Sequence, residues 1–290
     1  MRLISRHENG HVRPGILRDE VVVDAAEAGA RGGIEIPLET TRSVLALSSD
    51  DRERLAAAAG ELGGTPIAEA RLAPPVPDPE KILCIGLNYR EHAAEAEKEE
   101  PGTPIVFAKF RTSLIADGES IELPPSNPTM VDWEGELAVV IGRRAHRVPE
   151  SEALDHVAGY MPFNDVSGRD LQLASPQWTM GKAFDTSGPC GPALVLGDEV
   201  PDPHALRLRT ILNGEVVQEA STGEMIFPIA KLIAFISSLI TLEVGDVIAT
   251  GTPSGVGYAR DPKRFLAAGD VVEVEVEGLG RLRNPVKEGT

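Results

Sequence analysis

Four side chains that could do chemistry stand in apolar surroundings: Glu134 and Glu136 in WEGELAVVIG, Asp165 in GYMPFNDVSGRD, and His92 in NYREHAAEAE. A lone carboxylate taken out of water is costly, so such acids must be paired, protonated or bound to a cation. Glu134 and Glu136 are two apart and share one face of a strand. A bare Glu-x-Glu is more often a solvated strand face. Here Ala138 and Val140 continue that face while Leu137, Val139 and Ile141 fill the other, so the strand is apolar on both sides just past the acids. Two acids at the mouth of a buried strand make half of an octahedral oxygen site. Asp165, at the end of another apolar run, can supply a third ligand and leave positions open for water and substrate. Oxygen-only ligands select a hard divalent cation, and a histidine nearby points to proton transfer rather than storage of the metal.

His92 and Glu95 are three apart beside Ala93, Ala94 and Ala96, so a helix puts both on one face. They are either an incidental surface pair or a functional one. In the functional case Glu95 orients the imidazole and His92 takes a proton from water. Lys182, in TMGKAFD, is either a structural lysine or a cation aimed at a substrate carboxylate. In ATGTPSGVG, Gly251, Gly255 and Gly257 surround Thr252 and Ser254, giving backbone amides that can approach an anion closely; an ordinary tight turn is the alternative. The loop lacks the Gly-Lys-Ser/Thr ending of a phosphate-binding P-loop, which argues against a nucleotide.

The elements that must position these residues come mostly after residue 80. Strands are expected at Ile82 to Gly86, Ile105 to Lys109, Glu134 to Ile141, Gly159 to Phe163, Ala193 to Leu196 and Val247 to Thr250. Asn213-Gly214 joins Leu208–Leu212 to Glu215–Gln218 as a hairpin, since Asn-Gly tolerates the positive φ of a type I′ turn. A second hairpin runs from Val271 to Val286 around Gly278 to Gly280. Ile229, Leu232, Ile233, Ile236 and Ile240 recur at helical spacing, which predicts one helix with a buried face. Residues 1–72 mix short apolar runs such as Val21 to Val23 with a helix from Asp50 to Leu62. Four prolines between Pro74 and Pro79 predict an extended linker at 73–80. The reading is a small N-terminal α+β domain (1–72), that linker, and a catalytic domain (81–290), α+β in class and mainly β.

Composition narrows the function. The 290 residues are 42% hydrophobic, enough for a large core. With 28 basic against 45 acidic residues the formal charge is −17, and no basic stripe with interleaved aromatics appears, so nucleic acid is not an expected partner. An anionic surface repels anionic substrates, so an acid substrate needs local positive charge. The start MRLISRHENGHVRPG has no apolar segment of signal-peptide length. The longest apolar stretch, Ile229 to Leu242, contains Lys231 and is too short to cross a bilayer. A cytoplasmic location and no membrane partner are therefore expected. Cys84 and Cys190, the two cysteines, cannot build a disulfide framework, and Cys84 reads as a buried small hydrophobe.

NYREHAAE, DWEGELAVVIG, GYMPFNDVSGRDLQ, GKAFDTSGP and ATGTPSGVG, in that order, resemble the fumarylacetoacetate hydrolase superfamily from about Lys81 to Val286. The resemblance implies a mixed β-sandwich roll, usually a homodimer, with Mg²⁺ or Mn²⁺ on Glu134, Glu136 and Asp165. It further implies a lid dyad of His92 and Glu95, and a substrate site lined by Arg169, Gln172, Lys182 and Thr252 with the amide of Gly251. Two departures from the family pattern occur, Gly168 and Ser187-Gly188-Pro189; metal binding should survive both, and the second bears on the pocket near Lys182. The function so implied is metal-dependent hydrolysis of a carbon-carbon bond in a small anionic 2,4-dioxo acid, of the acylpyruvate or diketo-deoxy sugar acid type. Alternatives on the same site are isomerisation of hydroxymuconate-type dienoic diacids and decarboxylation of oxaloacetate-like acids. A metal-binding protein without turnover is the alternative of another class, and the dyad beside the triad argues against it.

Overall fold

The computed structural model describes residues 1–125 and 128–289. Its frame is an eleven-stranded sheet. The path runs Thr65–Pro66, Val21–Asp24, His11–Arg18, Arg2–Glu8, Leu194–Leu196, Val157–Asn164, Gly135–Ile141, Val247–Ala249, Ile82–Gly86 and Ile105–Lys109, with Leu72–Ala73 added beside Arg2–Glu8. Pairing along it is antiparallel except between Val247–Ala249 and Ile82–Gly86. A second sheet of five strands orders Glu215–Ser221, Arg207–Leu212, Val271–Val276, Gly280–Glu288 and Ile121–Leu123. This strand-rich, mixed architecture agrees with the fold class read from the sequence.

Gly135 lets the two sheets meet next to the site. A Cβ there would collide with Thr210 Oγ1 of the second sheet, so the residue between the two glutamates must be glycine. Glu134 and Glu136 thereby point to the opposite face, away from that packing. Further along the strand, Leu137, Val139 and Ile141 pack in one core with the helix Ile229–Ser237, while Ala138 and Val140 pack in another with Leu3, Ile16 and Leu194. Burial of one strand on both faces explains its unbroken apolar run.

Elements land within a few residues of their expected ranges. The helix expected from Asp50 to Leu62 is Ser49–Glu61, capped by the Ser48 hydroxyl on the Asp51 amide. The Asn213-Gly214 turn has φ of 51° and 86°, as a type I′ turn requires. The proline segment, expected as an extended linker, lies against the fold. Pro75 and Val76 are buried, and the Pro75 carbonyl accepts from Ser5 Oγ at 3.0 Å and Thr41 Oγ1 at 2.9 Å. It is a docked strap rather than a free linker, because proline's lack of a donor suits a strap whose carbonyls alone are satisfied. Among the described residues no helix is long and apolar enough to cross a membrane.

Candidate active site

The antiparallel register builds the acidic cluster. Gly135 faces Asn164 and Glu136 faces Phe163, so the next pair outward is Glu134 opposite Asp165, whose amide donates to the Glu134 carbonyl at 2.9 Å. Oxygens of Glu134, Glu136 and Asp165 all lie within 4.8 Å of one another, and the three residues are buried.

Three buried cations answer them. Lys182 Nζ donates to Glu134 Oε2 at 2.6 Å and to Asp165 Oδ2 at 2.7 Å. Lys109 Nζ donates to the other Asp165 oxygen at 2.6 Å and also to the Lys182 carbonyl. Arg169 Nη1 pairs with Glu134 Oε1 at 2.6 Å, and its Nε donates to Asp132 Oδ2 at 2.9 Å. Burial alone would raise the Glu134 carboxyl, yet the Lys182 and Arg169 charges hold it far below the usual range. Burial likewise opposes the Lys182 ammonium, and Asp165 and Glu134 more than compensate, raising it.

Glu136 has no such partner. One oxygen accepts the Gly251 amide at 2.8 Å, and among the described residues no cationic side chain is bonded to the carboxylate. Burial pushes its carboxyl well above the ordinary range, and the charges of Asp165 and Glu134 push the same way. A hard divalent cation fits this donor set: three carboxylates of which one lacks positive charge, converging from two paired strands and offering oxygen alone.

The His92–Glu95 pair follows the parallel strand pair. Ile82–Gly86 and Val247–Ala249 end side by side, and their following loops are clamped by Asn88, whose amide donates to Thr250 O at 2.7 Å and Phe227 O at 3.1 Å. Gly251, at φ +101°, allows that approach, since a Cβ would sit 2.7 Å from Asn88 Cβ. The helix Arg90–Glu95 then carries His92, whose Nδ1 lies 3.3 Å from Glu95 Oε2. The other Glu95 oxygen accepts the Gly255 amide at 2.8 Å, which docks this helix on the 251–257 loop. His92 lies near enough to Glu134 to be among the groups that bear electrostatically on its carboxyl, after Lys182 and Arg169.

Most residues named from the sequence therefore converge, but several are already engaged. The Thr252 hydroxyl donates to Gly135 O at 2.9 Å and accepts from Gln218 Nε2 at 2.8 Å. Gln172 Oε1 accepts from Arg169 Nη1 at 2.9 Å. Lys182 and Arg169 grip the acids instead of standing free for a substrate carboxylate. Residues 187–189 pass beside Lys182 as well, with the Ser187 hydroxyl donating to its carbonyl at 3.1 Å.

Sequence reasoning missed Lys109 and Asp132. Lys109 was visible as a charge closing the apolar run Ile105–Lys109, and Asp132 as the first acid of an alternating Asp-x-Glu-x-Glu. Asp132 accepts from Arg169 and from the amides of Trp133, Gly257 and Tyr258, fastening the 255–258 loop to the acids. A separate groove of about 1540 Å³ opens between residues 16–20 and 45–56 on one side and 196–200 on the other, and none of the triad lines it.

The fumarylacetoacetate hydrolase C-terminal family model matches residues 81–287, and the chain belongs to that family. It is 47% identical over 217 residues to oxaloacetate tautomerase fahd2, mitochondrial, of Xenopus laevis, covering 74% of this chain and 68% of that one. A Dictyostelium discoideum relative, fumarylacetoacetate hydrolase domain-containing protein 2 homolog, is 43% identical over 289 residues, 95% of this chain and 92% of its own. Among solved structures, the fumarylacetoacetate hydrolase of Exiguobacterium antarcticum superposes with a TM-score of 0.81 at 32% identity, over 100% of both chains. The 2-hydroxyhepta-2,4-diene-1,7-dioate isomerase of Mycobacterium marinum superposes at 0.77 with 33% identity, over 99% and 98%. Maleylpyruvate hydrolase from Sphingobium sp. SYK-6 does so at 0.82 with 29% identity, over 100% of both.

Proposed function

We propose that the chain is a divalent-metal-dependent enzyme that enolises a short 2-oxo dicarboxylic acid, interconverting the keto and enol forms of an oxaloacetate-type substrate. The observation that carries this reading is the buried triad of Glu134, Glu136 and Asp165, together with a His92–Glu95 pair whose imidazole is near enough to Glu134 to bear on its carboxyl. Several relatives are named as oxaloacetate tautomerases, which supports the same reaction class.

Glu134, Glu136 and Asp165 would hold Mg²⁺ or Mn²⁺, which supplies Lewis-acid polarisation of a 2-oxo acid. Lys182 and Lys109 fix the carboxylate of Asp165 in one orientation, and Arg169 does the same for Glu134. Glu95, itself fastened by the Gly255 amide, holds the His92 Nδ1 side and so sets which imidazole nitrogen faces the acids. His92 Nε2 is then the atom that takes a proton from C3, leaving the enolate, and hands that proton to the enolate oxygen; in the reverse direction the enol gives up its O–H proton and His92 delivers one to C3. The buried cations offset the negative charge that develops as the proton leaves.

Hydrolysis of a carbon-carbon bond in a 2,4-dioxo acid is the second reading. The same dyad favours it, because a base able to deprotonate carbon can also activate water, and maleylpyruvate hydrolase is among the structural relatives. One experiment separates the two. Freshly dissolved oxaloacetate enol loses its ultraviolet absorbance as it ketonises, and an acylpyruvate releases pyruvate only if cleaved. We expect metal-dependent acceleration of the first to exceed the second; efficient pyruvate release with no effect on ketonisation would overturn this order.

A further inference from the structure

The strand Ile105–Lys109 leads from the rim of the molecule into the site along one face. Ile105, Phe107 and Lys109 alternate on it, half-buried at the first two positions and buried at Lys109, whose Nζ reaches Asp165. Phe107 therefore stands just outside the buried ion cluster, and the Lys182 ammonium lies 5.0 Å from its ring centroid. Trp178, immediately before the short helix Thr179–Lys182, packs edge-on against Phe107, with ring centroids 5.4 Å apart and planes at 71°. The indole spans further, onto Gly86 at the root of the segment that carries His92. A Cβ at Gly86 would sit 2.6 Å from Trp178 Cζ3, so the indole occupies the space that the missing side chain leaves. The pair thus extends from Lys182 to the base of the His92 helix, and both residues are half-buried.

Resting on the enolisation reading above, we infer that Trp178 and Phe107 form an aromatic wall that selects planar, conjugated acids, the enol form of the substrate included, over saturated acids of equal length. A flat unsaturated diacid presents a π-face to the ring edges, whereas a saturated chain of the same length is puckered and flexible and must be ordered on binding. Gly86 is the positioning residue of this wall, since only glycine admits the indole there.

The test compares maleate with succinate, two four-carbon diacids that differ in planarity, and uses oxalate as a probe too short to need the wall. With Mg²⁺ present, maleate should bind about ten-fold tighter than succinate by competition and calorimetry, and should change the tryptophan fluorescence. Trp133, the other tryptophan, is fully buried, so the Trp178→Leu variant should lose that fluorescence change. Trp178→Leu should also bring the maleate-to-succinate ratio to within about two-fold while leaving oxalate and Mg²⁺ affinity as in the parent protein. Gly86→Ala, which keeps the indole but displaces it, should do the same, and it answers the question if the first variant fails to fold. Retention of the ten-fold preference in either folded variant overturns the inference. Equal loss of oxalate binding overturns it too, by showing general damage to the site. If no diacid binds the metal-loaded parent protein, the enolisation reading falls and the wall with it.

Discussion

His92 and Lys182 illustrate how differently two residues of one site can matter. His92 touches no acid of the triad by a hydrogen bond and depends on Glu95 for its orientation. His92→Ala should therefore lower kcat by a factor on the order of 10² to 10⁴ while Mn²⁺ affinity measured by calorimetry stays nearly unchanged. Joint loss of metal and activity would make it a ligand instead. Lys182 is bound up with stability, because its removal leaves Glu134 and Asp165 short of a buried counter-charge. Breaking a buried pair in this way costs about 3–5 kcal/mol. Lys182→Met should unfold at lower denaturant than the parent protein in chelator, and Mg²⁺ should recover more stability for the variant than for the parent. An equal Mg²⁺ effect on both proteins would show that Lys182 does not neutralise the ligand set.

Elements, not single residues, decide where these groups meet, and that is where the sequence was most and least informative. An unbroken apolar run exposed the strand after Glu134, and its acids share a face as the two-residue period of a strand requires. The partner strand was equally legible from its apolar run. What stayed hidden was register: nothing local says that Gly135 faces Asn164, and it is this pairing that puts Asp165 opposite Glu134. Lys109 escaped notice for the same reason, since its role depends on a strand that reaches the site from the far edge of the sheet. The helix Ile229–Ser237 shows a further tertiary contribution. Its first amide, on Ile229, donates to His204 Nε2 at 3.1 Å, so the imidazole must be neutral to act as the cap. Burial lowers the His204 pKa below its ordinary 6.5, only partly opposed by Asp202. A group whose folded pKa is depressed contributes stability above its unfolded value and loses it as the pH falls through the folded one. Thermal unfolding between about pH 7.5 and about pH 5.5 should therefore cost the parent protein more Tm than it costs His204→Gln, in which this titration is absent. Identical losses in the two would remove His204 from the acid response.

At the scale of the whole molecule, the N-terminal 72 residues are continuous with the rest. Arg2–Glu8 pairs with Leu194–Leu196, and Leu3, Ile16, Val44 and Leu55 share one core with Cys84, Ala138, Phe163 and Leu194. The family model begins only at residue 81, but the sheet does not respect that boundary. Calorimetric unfolding should accordingly show a single transition. Two well-separated transitions would establish the division at 73–80 as a boundary between independent folding units. The same continuity explains the shape of the site: the three acids come from the middle of the long sheet, the His92–Glu95 pair from the segment after its parallel pair, and the cations from its edge strand and the 169–182 segment. The proposed function requires proton transfer at carbon next to the triad. The most direct measurement is deuterium incorporation at C3 of oxaloacetate in D₂O, followed by NMR, with and without Mg²⁺ or Mn²⁺. The account predicts exchange well above the uncatalysed rate that disappears with chelator, returns with metal, and falls sharply in His92→Ala. Undiminished exchange by the metal-free protein, or by His92→Ala, would contradict it.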